Sequence, residues 1–80
     1  MLSTTPLSQL HPGQSARIEH LKFNPEFTAR LRALGLSEGQ TVRVLRQAHW
    51  GGPLHVCLGL TEVMLRRSEA QDIQVTPLTH

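Results

Sequence analysis

RLRALGLSEGQTVRVLRQAHWGGPL, residues 30–54, changes its hydrophobic period partway along. Up to Leu34 the apolar residues recur at helical spacing, and Gly35 is placed to stop a helix. A tight turn through Gly39 follows. From Thr41 to Arg46 the pattern alternates, with Val42 and Val44 on one side and Arg43 on the other, which is the period of a strand buried on one face. A wide loop, 47–53, then closes on Gly51, Gly52 and Pro53 before apolar alternation resumes at Leu54. Helix end, turn, strand and open loop thus follow one another with no residue in an evident catalytic arrangement.

Upstream, Asn24 is suited to cap free backbone N–H groups, Pro25 to the first helical position and Glu26 to the positive end of the helix dipole. The helix they start presents Phe27, Leu31 and Leu34 to the core at i, i+4, i+7 spacing. Arg30 and Arg32 lie off that stripe and are expected in solvent. Leu36, just after the stop, is expected to fold back onto the helix. Residues 14–21 alternate as a strand with Ala16 and Ile18 inward and Arg17 and Glu19 outward. His20 falls on the apolar side, either as a half-buried packing residue or as a metal ligand. Pro6, Leu7 and Leu10 are spaced for one helical turn before the Pro12-Gly13 break.

Downstream, Leu54, Val56 and Leu58 alternate with His55 and Cys57, so His55 and Cys57 share the opposite face of a strand. Gly59 marks a turn, 61–65 another strand, Ser68, Glu69 and Ala70 a tight turn, and Ile73 and Val75 a last strand. The expected fold is mainly β: a small SH3-like barrel of about five short strands, with one short helix between the first two. So small a sheet buries its inner face by curling, and closure also removes exposed edges. One domain, 7–76, is expected between a loose start, 1–6, and a tail, 77–80.

Composition narrows the function. A chain of 80 residues has room for one small core, built here from Leu, Val, Ile and Ala because it holds two Phe, one Trp and no Tyr. Its net charge of +2 comes from scattered Arg and Lys, with only Arg66 and Arg67 adjacent, rather than from the basic stripe of a nucleic-acid binder. The single Cys57 offers no internal disulfide and fits a reducing, cytoplasmic setting. No signal-peptide pattern and no apolar run of the ~18 residues needed to span a bilayer is present. No motif sets a nucleophile beside a base and an orienting carboxylate, so no enzyme is expected.

Together the runs PLSQLHPGQSARI (6–18), RLRALGLSEGQTVRVLR (30–46), GGPLHV (51–56) and LRRSEAQDIQV (65–75) resemble the FeoA family of small ferrous iron transport accessory proteins. That resemblance implies a bacterial cytoplasmic protein with an SH3-like barrel, acting on FeoB, a membrane permease with a cytosolic GTPase domain. The same fold also occurs fused to iron-dependent repressors. His49 and Trp50 depart from the family pattern, in which a proline commonly follows the alanine.

The candidate partner surface comprises His49, Trp50, Gly51 and Gly52 in the wide loop, with Arg66 and Arg67 as a basic patch that Arg43 and Arg46 can extend. Trp50 has two readings: burial against the barrel, or an exposed anchor of the kind enriched in interface hot spots. Gly51 and Gly52 fit a turn with positive φ better than a phosphate cradle. His55 and Cys57, at i and i+2 of a strand, are the candidate metal ligands, either a solvent-facing pair or half of a zinc or iron site bridging two molecules of a homodimer. No cofactor is required. The first functional reading is protein binding to the cytosolic domain of a FeoB-like permease, without nucleic acid and without membrane insertion. The alternative is an SH3-like nucleic-acid-binding or iron-dependent regulator-type domain. Proline-rich peptide recognition needs an aromatic-lined groove that this composition does not supply.

Overall fold

The computed structural model describes residues 3–21, 24–48 and 50–78. Six strands form one antiparallel sheet: β1 (Thr5–Pro6), β2 (Ser15–Leu21), β3 (Thr41–Gln47), β4 (Leu54–Leu58), β5 (Thr61–Leu65) and β6 (Ile73–Pro77), in the spatial order β1-β6-β2-β3-β4-β5. Helix α1 (Pro25–Ala33) connects β2 to β3, a 3-10 turn (Leu7–Gln9) follows β1, and a short helix α2 (Arg67–Gln71) precedes β6.

The helix stop works as its sequence requires. Asn24 Oδ1 accepts the Phe27 N–H at 3.1 Å and Pro25 takes the first helical position. At the other end Gly35 adopts φ +100°. Its N–H donates to the Arg32 carbonyl at 3.0 Å, while the Leu36 N–H donates to the Leu31 carbonyl at 2.9 Å. This paired arrangement satisfies carbonyls that a helix end leaves free. Leu31 and Leu36, the two apolar residues it brings together, are both fully buried. Phe27 and Leu34 are only partly buried against the core, so the helix contributes less than the whole expected stripe.

Four expectations are corrected. The sheet does not close: β1 and β5 are its two edges. Helix α2 packs against the 3-10 turn and β6, and Ala70 and Leu7 are both fully buried. Thr5 and Pro6, expected in a loose start, pair with Val75 and Gln74, which makes the strand count six. The expected tight turn at 68–70 is the helix α2, begun by Glu69, whose Oε1 accepts the Arg66 N–H at 2.9 Å.

The fourth correction concerns His20. The β2–β6 register shifts between Ile18 and His20, so parity reverses at Glu19: His20 is exposed and Leu21 is buried. Glu19 pins the bulge, accepting from the buried Thr76 hydroxyl at 2.8 Å and from Arg17 Nε at 2.8 Å. These two hydrogen bonds, Thr76 first, lower its pKa below the ordinary carboxylate value. A second shift, between Val44 and Arg46, leaves Leu45 half-buried beyond the inward Val42 and Val44.

Candidate partner-binding surface

The β3–β4 connection is narrow at its base and projects at its tip. Gln47 pairs with Leu54, and the Ala48 N–H donates to the Pro53 carbonyl at 3.1 Å. Gln47 Nε2 also donates to the Ser8 carbonyl at 3.2 Å, tying the loop base to the 3-10 turn. At the tip Trp50 and Gly51 have φ of +64° and +77°. Two consecutive residues in this region mark a hairpin turn that favours Asn, Asp or Gly at both positions. Trp50 is instead the one non-glycine among the described residues with positive φ, a conformation that costs an L-residue roughly 1–2 kcal/mol. Its side chain is fully exposed, at 101%. Of the two readings of Trp50, burial is therefore excluded. His49 lies outside the described residues.

Beneath this turn runs Arg67. A Cβ added to Gly51 would stand 3.9 Å from Arg67 Nε, so the loop and the start of α2, far apart in sequence, meet here. Arg67 Nε is buried and has no hydrogen-bond partner. A buried donor left unpaired costs about 1–3 kcal/mol. The nearest-in-sequence carboxylate, Glu69, is already committed: besides capping α2, its Oε2 lies 2.6 Å from Arg30 Nε. That ion pair joins α1 to α2, while Arg30 itself stays exposed, as its place off the core stripe implied. Arg66 is exposed at the head of α2. Gly52 is half-buried at the loop base. Arg43 and Arg46 stay exposed on β3, across from Cys57 and His55.

His55 and Cys57 do share the outer face, both half-buried, and each already has a partner. His55 Nε2 lies 2.7 Å from Glu62 Oε1, and Cys57 Sγ donates to the Gly59 carbonyl at 2.9 Å. Among the described residues no group of three or more His, Cys, Asp or Glu side chains could hold one metal ion. A pocket of about 380 Å³ between the end of β2 and the start of α1, lined by His20, Asn24, Thr28 and Glu38 among others, was not anticipated. It arises because the bulge at Glu19 turns His20 outward, and no pattern in the sequence announces that bulge. Sequence reading also missed the contact between Gly51 and Arg67, since nothing in either motif refers to the other.

These features define a small antiparallel β domain carrying one projecting, aromatic-tipped loop braced by a half-buried arginine. The chain belongs to the FeoA family, matching the FeoA domain over residues 5–77. That family is linked to ferrous iron transport. The structure is similar to the FeoA protein of Chlorobium tepidum, with 35% identity, TM-score 0.84, and coverage of 94% of this chain and 71% of that one. It is likewise similar to an iron uptake regulatory protein, FeoA, at 25% identity and TM-score 0.86, covering 96% of this chain and all of that one. A manganese-dependent transcriptional repressor shares the fold at 22% identity and TM-score 0.88, where 98% of this chain covers 44% of that one. No curated protein sequence matches the chain.

Proposed function

We propose that this protein is an accessory factor of bacterial ferrous iron uptake that works by binding the cytosolic, GTPase-bearing part of a FeoB-like permease. The open sheet is read as an SH3-like barrel that does not close between β1 and β5. The observation that carries the binding reading is Trp50, fully exposed on a strained turn that nothing within the chain rewards. An aromatic ring held rigidly outward loses little entropy on docking and buries a large area, which suits a central anchor. Arg67 braces the turn from below, and Arg66 and Arg67 place positive charge beside it for an acidic partner. Chemistry on the nucleotide would belong to the permease, and no helix among the described residues is long and apolar enough to cross a membrane. The site of action is therefore read as the cytoplasmic face.

The test is a titration of isotope-labelled protein with the soluble cytosolic domain of a FeoB permease, with and without guanine nucleotide. Chemical-shift changes are expected to cluster at Trp50, Gly51, Gly52, Arg66 and Arg67. Trp50→Ala is expected to weaken binding by about tenfold or more, the loss of a hot spot worth upwards of roughly 1.4 kcal/mol. Absence of binding at high micromolar concentration removes the reading.

The fold shared with the manganese-dependent repressor gives a second reading, a regulator-type or nucleic-acid-binding domain. It predicts affinity for nucleic acid that falls steeply with salt. A zinc or iron ion bridging two molecules through His55 and Cys57 would have to displace the Glu62 and Gly59 contacts, so zinc titration monitored at the His55 ring and the Cys57 thiol reads it directly.

A further inference from the structure

One edge of the sheet is unprotected. β5 pairs with β4 alone, with no register shift from Leu58–Thr61 to Leu54–Leu65. The strands are joined by the two-residue turn Gly59-Leu60, with Gly59 at φ +62° in the position where a tight hairpin turn needs it. Leu58 and Thr61 are then the closing hydrogen-bonded pair, and alternation makes Val56–Val63 and Leu54–Leu65 hydrogen-bonded pairs as well. The backbone N–H and C=O groups of Glu62 and Met64 consequently point away from β4. Among the described residues no other backbone hydrogen bond uses them.

Natural edge strands are blunted by proline, a bulge, charged side chains or shortness. β5, Thr-Glu-Val-Met-Leu, is five residues long with no proline and no bulge, and its one charged side chain, Glu62, is paired with His55. Its rim also carries Leu60 and Met64, exposed at 102% and 57% and two of the four large apolar side chains left outside among the described residues.

We propose that β5 is a self-association edge, pairing antiparallel with β5 of a second copy about a twofold axis at Val63. In that register Glu62 exchanges both backbone hydrogen bonds with the partner's Met64, and Met64 with the partner's Glu62. Every outward-facing backbone group is used. No like charges stand directly opposite: Glu62 faces the partner's Met64, Leu60 faces the partner's Arg66, and Glu62 lies diagonal to the partner's Arg66. The two Glu62 side chains are diagonal across the axis, each held by His55 of its own chain.

Neighbouring registers fail on observed features. An axis at Glu62 sets the two Glu62 carboxylates face to face, which is destabilising. An axis at Met64 needs the Arg66 N–H, which already donates to Glu69. The contact is short, so the dimer is weak, at the small end of specific interfaces.

Sedimentation equilibrium of the whole chain from about 10 μM to about 1 mM, a range suited to interfaces of this class, is expected to show the mass rising from 8.9 kDa towards twice that value. Met64→Pro removes an outward N–H without touching a bond to β4 and is expected to hold the mass at 8.9 kDa with the circular dichroism spectrum retained. Register is read by cross-linking in a Cys57→Ser background, because Cys57 stands opposite Glu62 on β4. The double variant Glu62→Cys, Met64→Cys is expected to give an oxidised covalent dimer, since directly opposed residues lie at about 5.5 Å, within disulfide reach. Neither single variant brings two thiols opposite. A wild-type mass fixed at 8.9 kDa throughout overturns the proposal, as does a single variant that cross-links as well as the double.

Discussion

The two ends of residues 30–54 both turn the chain through positive φ, and they do so at opposite cost. At Gly35, φ +100°, the residue has no Cβ to clash, its N–H and that of Leu36 find helix carbonyls, and Leu31 and Leu36 are buried together. At Trp50, φ +64°, the residue does have a Cβ, the side chain meets only solvent, and the arginine beneath leaves a buried donor unpaired. Local rules agree with the fold at the first turn and are broken at the second with no return inside the molecule. Such exceptions concentrate where a chain has work to do outside itself. One turn stabilises this fold, and the other is held ready by it.

The largest expected effect is at the first turn. Nothing lies within 4 Å of a Cβ added at Gly35, so Gly35→Ala isolates the backbone cost. Chemical denaturation is expected to show a loss of about 1–2 kcal/mol. A loss below roughly 0.3 kcal/mol, no more than an ordinary surface change, would mean that positive φ is not limiting there.

The opposite sign is expected at the second turn. Trp50→Gly relieves the strain and is expected to raise stability by about 0.5–1 kcal/mol, less than the strain itself because glycine also loosens the unfolded chain. The same variant loses partner binding. A destabilised Trp50→Gly would show that the ring makes a stabilising contact and would erase the contrast between the turns.

The smallest effect concerns the bulge that turned His20 outward. Glu19 has a lowered pKa in the folded protein, so its contribution is present above the ordinary carboxylate value, near 4.5, and is lost as pH falls through the lower folded-state value. Thr76→Val removes the larger of its two hydrogen bonds. The acid limb of a stability-against-pH curve should flatten below that pH relative to wild type, with no change of slope near neutrality; identical limbs would show that Glu19 does not govern it.

Legibility in the sequence followed the range of the interactions involved. The helix start at Asn24, its stop at Gly35, the fold-back of Leu36 and the alternation of β3, β4 and β5 rest on contacts a few residues apart, and those were readable. The reversal at His20 was not, because the bulge depends on Thr76, on the far side of the chain, reaching Glu19. Helix α2 was missed for a similar reason: its capping carboxylate, Glu69, is held in place by Arg30 from α1. In the candidate site, Trp50, Gly51, Arg66 and Arg67 were all named from sequence, yet the loop and the arginines were two separate proposals until Gly51 was found over Arg67.

The sequence by itself determined the family, the helix and its glycine stop, and the alternating residues that fill the core, because each is written in local spacing and local backbone preference. Only the tertiary structure decided that the sheet stays open, that α2 packs on the 3-10 turn and β6, and that Trp50 stands in solvent while the half-buried Arg67 runs under the neighbouring Gly51. Those outcomes depend on which distant surfaces meet, and a free backbone edge or an unpaired donor is defined only by the neighbours that the fold does or does not supply.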